Sequence, residues 1–297
     1  MGADAEKVLV VGAGFMGAGI AQVCAAAGRR VFLMDNSPAA LERAQAGIAS
    51  SLARLAAKGK LADAAEAVQA RISPCADLKP AAEADWVIEA AFESLPLKLD
   101  LFAELDRLAP AATPLASNTS SIPISRLAEA ARRPERVLGL HFFGPVTLMG
   151  LVEVVKGRQT SEAVFERGAA FIQAIGKTPV KVARDIPGFV MNRVFAAAMR
   201  EAVELVAAGV VSPEDLDVGM RLGYGWSAGP FEIADNAGLD TCVLINRFLK
   251  SVGEDGLAPR TDLLERMVQE GRVGRKAGRG FYRYDADGKR RPWGEDA

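Results

Sequence analysis

His141 is the only histidine among the 297 residues, and it ends an apolar run, RVLGLH, that is typical of a β-strand. Histidine suits proton transfer because its unperturbed pKa lies nearest to neutrality. The residues FFGP follow it, so Gly144 and Pro145 break the strand soon after the imidazole. We predict a catalytic histidine at the ligand-binding end of a strand. The alternative is a buried histidine that is bonded to a backbone carbonyl.

A carboxylate, Glu153, lies in the next apolar run, LVEVV. Burying it between Val152 and Val154 costs free energy unless another group pairs with it. Two placements are open at this point. Strand alternation could turn Glu153 outward, or a turn at Gly144 and Pro145 could return it beside His141, where it would orient the ring and stabilise the imidazolium.

Hydroxyl and amide groups cluster in SNTSSIP, residues 117–123, directly after the strand candidate TPLA. At the end of a strand such groups can hold substrate oxygens. Serine, threonine and asparagine are also common in turns and helix caps, which is the structural alternative.

A glycine pattern stands between an apolar strand and a helix in VLVVGAGFMGAGIA. Gly12 permits a tight turn, Gly14 lets the backbone approach a pyrophosphate, and Gly17 lets the helix pack against the strand. The helix N-terminus then offers free N–H groups to the phosphates. The next strand ends at Asp35, which can accept hydrogen bonds from ribose hydroxyls and repels a 2′-phosphate. The pattern favours NAD as cofactor, with a ligand-free glycine turn as the alternative.

Short β-branched runs alternate with alanine-rich helical stretches from residue 7 to about 183. This alternation predicts an α/β fold with a doubly wound parallel sheet of the Rossmann type. The strand candidates are KVLVV, RVFLM, DWVIEA, TPLAS, RVLGLHF, LVEVV and TPVKVA.

The stretch 38–58 is long for a crossover helix. Leu41, Ile48, Leu52 and Leu55 keep helical spacing along it, which predicts a helical arm that projects from the sheet.

The pattern changes after DIPGFV, because from about residue 187 helical periodicity continues without a convincing strand. We expect an all-helical second domain, with Asp185 near the first helix cap and Pro187 in the first turn. The predicted domains are an NAD-binding domain at 1–184 and a C-terminal substrate and dimerisation domain at 185–297.

The composition argues against several classes of partner. Lysine and arginine number 36 against 37 aspartates and glutamates, and no basic segment could follow a nucleic acid backbone. Three widely spaced cysteines support neither disulfides nor a metal site, which fits a reducing, cytoplasmic setting. We find no signal peptide, and no apolar stretch approaches the ~18 residues of a membrane span.

Eight segments are spread over nearly the whole chain. They are GAGFMG, the strand that ends at Asp35, AFESLPLK, SNTSSI, HFFGPV with LVEV, DIPGFVMNR, GPFEIADNAGLDT and GRKAGRGFY. In this order they resemble the L-3-hydroxyacyl-CoA dehydrogenase family. That resemblance implies a Rossmann-type domain, a helical domain that carries a homodimer contact, NAD as cofactor and an acyl-CoA substrate.

The resemblance also implies roles for individual residues. His141 would be the general base, Glu153 its carboxylate partner, and Ser120 and Asn192 the groups that hold the substrate oxygens. Cofactor contacts are implied for Gly12, Ala13, Gly14, Phe15, Met16, Gly17, Asp35, Glu93, Lys98, Ser120 and Lys276.

For coenzyme A the resemblance implies Ser51 and Lys58, both on the predicted arm. Their spacing places them on one helix face with Arg54 beside them, which suits an anionic ligand. A solvated polar face is the alternative.

One departure from the family is Gly144, because the family usually has HFFNP where this chain has HFFGP. An asparagine amide there would be worth ~1–3 kcal/mol if it is used. Water, or a substituent on an unusual substrate, could fill the space.

These features predict reversible NAD-dependent oxidation of (3S)-3-hydroxyacyl-CoA to 3-oxoacyl-CoA, the reaction of fatty acid β-oxidation. One alternative is a dehydrogenase of a free 3-hydroxy acid, such as a sugar acid or a carnitine-like compound, although such relatives tend to have HPxNP. Another is a dinucleotide-binding protein with weakened catalysis, which only Gly144 motivates.

Overall fold

The computed structural model describes residues 5–291. The chain divides into two compact units between Phe189 and Val190. Within the described residues, the first unit holds a single sheet of eight strands. They are β1 (Lys7–Val11), β2 (Arg30–Met34), β3 (Ile72–Cys75), β4 (Trp86–Glu89), β5 (Leu115–Ser117), β6 (Val137–Phe142), β7 (Leu151–Val155) and β8 (Thr178–Val182).

The strands lie in the order β3-β2-β1-β4-β5-β6-β7-β8. Strands β1 to β6 pair in parallel, which confirms the Rossmann-type fold. β7 differs because it runs antiparallel to β6, and β8 then pairs in parallel with β7. The direction reverses because the connection at 143–150 is too short for the crossover that parallel neighbours require.

Every strand candidate in the sequence is a strand in the structure, but β3 was not predicted. Its sequence, ISPC, carries Ser73 and Pro74 and therefore lacks the apolar pattern of a central strand. Proline removes a backbone donor and is tolerated at a sheet edge, and β3 is an edge strand.

Helices cover this sheet, and among residues 5–291 no helix is long and apolar enough to cross a membrane. The helices of the first unit are α1 (Phe15–Ala26), α2 (Pro38–Ala57), α3 (Ala65–Gln69), α4 (Leu95–Leu108), α5 (Ile124–Ala128) and α6 (Glu162–Ala174).

The predicted arm is α2, which begins after Ser37, a residue whose hydroxyl caps the helix. Leu41, Ile48 and Leu52 are buried and join the core of the first unit, while Leu55 is half-buried. The arm is therefore packed along one face, and its opposite face is free to carry polar side chains.

The second unit is helical, as the sequence predicts, apart from isolated bridges between residues 274 and 290. Its α-helices are α7 (Met191–Ala207), α8 (Pro213–Tyr224), α9 (Pro230–Ala237), α10 (Leu239–Ser251) and α11 (Leu263–Gln269).

Two buried carboxylates organise the loops of the second unit. Asp217 accepts hydrogen bonds from Phe231 N at 3.0 Å and from the Tyr282 hydroxyl at 2.7 Å. Asp235 accepts from the backbone of Phe281 and of Tyr282, both at 2.9 Å. Burial raises the pKa of both carboxyls, against the opposing effect of these donors. The last turns of the described chain are thereby fastened to α8 and α9.

The expectation that Asp185 lies near the first helix cap of the second domain is wrong. α7 begins later, because Gly188 (φ 77°) and Phe189 (φ 47°) adopt left-handed conformations that a helix cannot continue through. Asp185 instead accepts from Ser125 N at 2.5 Å and from Ser125 Oγ at 3.0 Å. Its carboxylate secures the start of α5 within the first unit.

Candidate active site

His141 and Glu153 stand directly opposite each other in the antiparallel pair of β6 and β7. His141 Nδ1 lies 2.7 Å from Glu153 Oε2, the ring is 6% exposed, and the carboxylate is fully buried. Because a carboxylate only accepts, Nδ1 carries the proton in the neutral ring and Nε2 is left as the acceptor. That is the tautomer a general base needs, and the alternative of an outward-facing Glu153 is excluded.

Aromatic rings surround the imidazole. The ring centroids of Phe143 and Phe189 lie 4.5 Å and 5.6 Å from that of His141. Phe142, between His141 and Phe143, is itself buried. Apolar walls lower the local dielectric constant, which strengthens the interaction between His141 and its carboxylate.

The segment at 117–123 is fastened to the strand of His141. Asn118 Oδ1 accepts a hydrogen bond from Phe142 N at 2.9 Å. The hydroxyls of Thr119 and Ser121 donate to the carboxylate of Glu93 at 2.5 Å and 2.7 Å. Ser120, between them, is exposed. The neighbouring hydroxyls thus position the loop, and the hydroxyl of Ser120 is presented outward.

A buried ion pair lies beneath this loop, and sequence reasoning missed one of its members. Lys98 Nζ is 2.5 Å from Glu89 Oε1, and the two side chains are 1% and 0% exposed. Ser117 Oγ donates to the other oxygen of Glu89 at 2.6 Å. The pair joins β4, β5 and α4. The sequence signal for Glu89 was its place as a carboxylate at the end of the apolar strand WVIE.

Glu93 extends this network to the surface. Its Oε2 lies 3.3 Å from Lys98 Nζ, and its side chain is 40% exposed. Burial opposes ionisation, but Lys98 and the hydroxyls of Thr119 and Ser121 outweigh it and lower the pKa of Glu93. Glu93 therefore remains a carboxylate near neutrality, and the structure brings the predicted residues Glu93 and Lys98 together beside the loop of Ser120.

The glycine turn has the geometry that a dinucleotide requires. Gly12 has φ 105°, and a Cβ there would lie 2.6 Å from the carbonyl oxygen of Ala90. A Cβ on Gly17 would lie 1.8 Å from the carbonyl oxygen of Gly12. At Gly14, the N-cap of α1, a Cβ would meet nothing within 4 Å. The open side at the helix N-terminus fits a pyrophosphate.

Asp35 is joined to this turn. Its Oδ2 accepts from Ala13 N at 2.8 Å, and its Oδ1 accepts from Ser37 N at 2.9 Å. Each carboxylate oxygen has a further lone pair, so the half-buried side chain can still accept from ribose hydroxyls.

Gly144 packs against the residues inside the glycine pattern. A Cβ on Gly144 would lie 2.9 Å from Phe15 Cε1 and 3.5 Å from Met16 Sδ. Phe15 is 70% exposed, so its ring is free to move aside. The residue that departs from the family pattern therefore lies where the loop after His141 meets the dinucleotide turn.

A cavity of about 530 Å³ lies between α1 and α2. Ser51 and Arg54 line it from α2, and residues 145–147 line it from the loop that follows His141. Lys58 is exposed, directly follows the last residue of α2 and does not border this cavity. Two of the three polar groups predicted on this helix face thus reach one cavity.

Two predicted residues belong to the second unit. Asn192 is half-buried in the first turn of α7. Lys276 is 52% exposed, and its Nζ lies 2.6 Å from Asp240 Oδ2. Neither position tests the role that the resemblance implies.

Neither a disulfide nor a cluster of metal ligands is found among residues 5–291. Cys24, Cys75 and Cys242 are free. Across residues 5–291, no group of three or more His, Cys, Asp or Glu side chains could hold a metal ion.

Family profiles match both units. The NAD-binding domain of 3-hydroxyacyl-CoA dehydrogenase matches residues 7–186, and the C-terminal domain of the same enzyme matches residues 188–284. The chain belongs to the 3-hydroxyacyl-CoA dehydrogenase family. The resemblance predicted from the segments is therefore confirmed.

Individual relatives agree with this assignment over almost their full length. A probable 3-hydroxybutyryl-CoA dehydrogenase of Deinococcus radiodurans is 45% identical over 94% of this chain and 100% of its own. The human mitochondrial hydroxyacyl-coenzyme A dehydrogenase is 42% identical over 94% of this chain and 91% of its own. The crystal structure of (S)-3-hydroxybutyryl-CoA dehydrogenase from Ralstonia eutropha superposes with a TM-score of 0.87 and is 40% identical over 95% of this chain and 100% of that one.

Proposed function

We propose that the protein is an NAD-dependent dehydrogenase that interconverts (3S)-3-hydroxyacyl-CoA and 3-oxoacyl-CoA. The observation that carries this proposal is the His141–Glu153 pair, whose Nδ1 and Oε2 atoms lie 2.7 Å apart. The loop that follows His141 packs against the dinucleotide turn at Gly144. Membership of the 3-hydroxyacyl-CoA dehydrogenase family supports the substrate class.

In this mechanism, His141 Nε2 takes the proton of the 3-hydroxyl group during oxidation and returns it during reduction. Glu153 fixes the ring through Nδ1 and stabilises the positive charge that the ring gains. Ser120 and Asn192 would hold the substrate oxygens. The phenylalanine rings around His141 would keep water from the reacting carbon.

The residues present fit NAD. The turn from Gly12 to Gly17 would hold the pyrophosphate, and Asp35 the adenosine ribose. NAD, when bound, supplies the hydride acceptor for C3 of the substrate. Glu93, Lys98, Ser120 and Lys276 would complete its contacts, and the first two are already held in position by the network under the loop.

The coenzyme A portion would lie along α2. Ser51 and Arg54 line the cavity between α1 and α2, and Lys58 would meet a phosphate at the end of the helix. Because residues 145–147 also line that cavity, a ligand there lies beside the loop that leads back to His141.

A small substrate panel tests the proposal. (3S)-3-hydroxybutyryl-CoA with NAD+ should yield NADH, whereas the (3R) epimer, NADP+ and free 3-hydroxybutyrate should each react far more slowly. Turnover of the free acid without turnover of the thioester would instead support a free 3-hydroxy acid dehydrogenase. NAD binding without turnover of any thioester would support a non-catalytic dinucleotide-binding protein.

Gly144→Asn should raise kcat/KM for short-chain thioesters by about three- to tenfold, because it restores a side-chain amide beside the dinucleotide turn. The exposed Phe15 ring can give way to the new Cβ. Gly144→Ala adds the Cβ without the amide and is the control, which should bring no gain. A lower kcat/KM for Gly144→Asn at unchanged thermal stability would show that the glycine serves this enzyme's own substrate.

We also propose a homodimer formed by the second unit. Large apolar side chains are exposed on α8, with Leu222 83% and Tyr224 79% exposed, and on α10, with Leu244 62% exposed. Such exposure is typical of an interface. Leu222→Asp should therefore shift the protein toward monomer in sedimentation velocity, whereas Leu97→Asp, on α4 of the first unit, should not. An unchanged sedimentation coefficient for Leu222→Asp would contradict this interface.

The free cysteines support a reducing location for the enzyme. We propose that this location is the cytoplasm, because structural disulfides belong to oxidising compartments.

A further inference from the structure

Gln22 is a buried polar side chain that the mechanism above does not use. It lies on α1, is 3% exposed, and its Nε2 has no hydrogen-bond partner among residues 5–291. Buried amide groups are normally paired, so an unpaired donor requires an explanation. Leaving it unpaired costs free energy, which a ligand acceptor would recover.

The position of Gln22 indicates which ligand this is. Its side chain borders the cavity between α1 and α2, together with Ser51 and Arg54. It also borders a second cavity of about 540 Å³, which is lined by Lys60 and Lys177. Gln22 therefore lies between two cavities, and cationic side chains border each of them.

The same face of α1 leads toward the catalytic histidine. Gly19 and Gln22 are three residues apart on a helix and share one face. A Cβ on Gly19 would lie 2.8 Å from Val146 Cβ, so the loop that follows His141 packs closely there. Thr147, the next residue of that loop, borders both cavities with Gln22. A chain that passes Gln22 can follow this loop to His141.

We infer that Gln22 is a specificity residue whose side-chain amide donates a hydrogen bond to an amide carbonyl of the pantetheine arm of the acyl-CoA substrate. This inference rests on the proposed function. Coenzyme A carries phosphates at one end, an apolar arm with secondary amides in the middle and the reacting thioester at the other end. Cationic side chains beside each cavity, the amide of Gln22 between the cavities and His141 beyond the loop suit a ligand of this kind.

The dinucleotide is the other ligand that could approach this helix. Its pyrophosphate belongs at the N-terminus of α1, at Gly14 and Phe15, which line the far end of the same cavity, because the first backbone N–H groups of a helix have no partner within it. Gln22 follows Phe15 by seven residues, or about 10 Å along the helix axis at 1.5 Å per residue. A substitution at Gln22 is therefore expected to change acyl-CoA binding and to leave NAD binding unchanged.

The test replaces Gln22 with methionine, which has a similar volume but no donor. Gln22→Met should raise the Kd of coenzyme A in calorimetry and the KM for acetoacetyl-CoA by about three- to tenfold, while the Kd of NADH stays at the wild-type value. Gln69→Met is the matched control, because Gln69 Oε1 is also unpaired but the residue borders neither cavity. Gln69→Met should leave the Kd of coenzyme A and the KM for acetoacetyl-CoA unchanged.

Truncated substrates make the test specific to the amide. With acetoacetyl-pantetheine, the kcat/KM of the wild type should exceed that of Gln22→Met by a similar factor. With the ethanethiol ester of acetoacetate, which has no amide, the two values of kcat/KM should be equal. Equal constants for wild type and Gln22→Met, a weaker NADH affinity, or the same loss with both truncated esters would overturn the inference. Failure of the wild type itself to turn over acetoacetyl-CoA would instead reject the proposed function. If Gln22→Met does not fold, Gln22→Glu, which keeps the shape and removes the donor, is compared in the same assays.

Discussion

Replacement of His141 by alanine should lower turnover of acetoacetyl-CoA by ~100-fold or more, because it removes the group that takes and returns the substrate proton. The affinity for NADH should stay near the wild-type value. The imidazole contacts Glu153 and neighbouring aromatic rings, and no residue of the glycine turn is among its hydrogen-bond partners in the described chain. Steady-state kinetics and fluorescence titration with NADH measure the two effects separately.

The carboxylate partner provides the matched control. Glu153→Gln keeps the size of the side chain and can still bond Nδ1, but it removes the charge that stabilises the protonated ring. It should reduce turnover to a value between those of wild type and His141→Ala. If His141→Ala turned over acetoacetyl-CoA at the wild-type rate, His141 would have no part in the mechanism.

Replacement of Lys98 by methionine should lower the free energy of unfolding by about 3–5 kcal/mol, because it leaves Glu89 buried with an uncompensated charge. The loop of Ser120 should also lose order, since Glu93 loses its nearest cation. Urea denaturation measures the first effect, and a raised Kd for NADH reports the second.

The surface pair of Lys79 and Asp77 offers the comparison for this variant. Lys79 Nζ lies 2.9 Å from Asp77 Oδ2, a separation close to that of the buried pair, but the Lys79 side chain is 87% exposed. Lys79→Met should leave stability almost unchanged, because solvent replaces the lost partner. Similar effects of the two substitutions would mean that the Lys98–Glu89 pair does not organise the site as proposed.

The sequence predicts well those features that depend on local pattern. The glycine turn follows from its place between a strand and a helix, and α2 follows from the spacing of Leu41, Ile48 and Leu52. The pairing of His141 with Glu153 was one of two open placements. Strand direction decides it, because a connection too short for a crossover reverses β7 and brings Glu153 opposite the histidine.

Other features depend on groups that are distant in the sequence. In the sequence, Glu89 is a polar residue at the end of a strand. Its pairing with Lys98 arises only because the fold brings the two side chains together. Asp185 resembles a helix cap until the left-handed Gly188 and Phe189 delay the start of α7. The unpaired Nε2 of Gln22 likewise has no signature in the sequence, because its lack of a partner among residues 5–291 depends on how α1, α2 and the loop after His141 pack around a cavity.

The central claim is hydride transfer between NAD and a 3-oxoacyl or 3-hydroxyacyl thioester with His141 as the base. The most direct measurement mixes the protein with acetoacetyl-CoA and NADH, follows NADH absorbance across a range of pH, and repeats the assay with His141→Ala. The account predicts loss of absorbance with wild type and a rate lower by ~100-fold or more with the variant. Stable NADH absorbance with wild type at every pH, despite measured NADH binding, would contradict it.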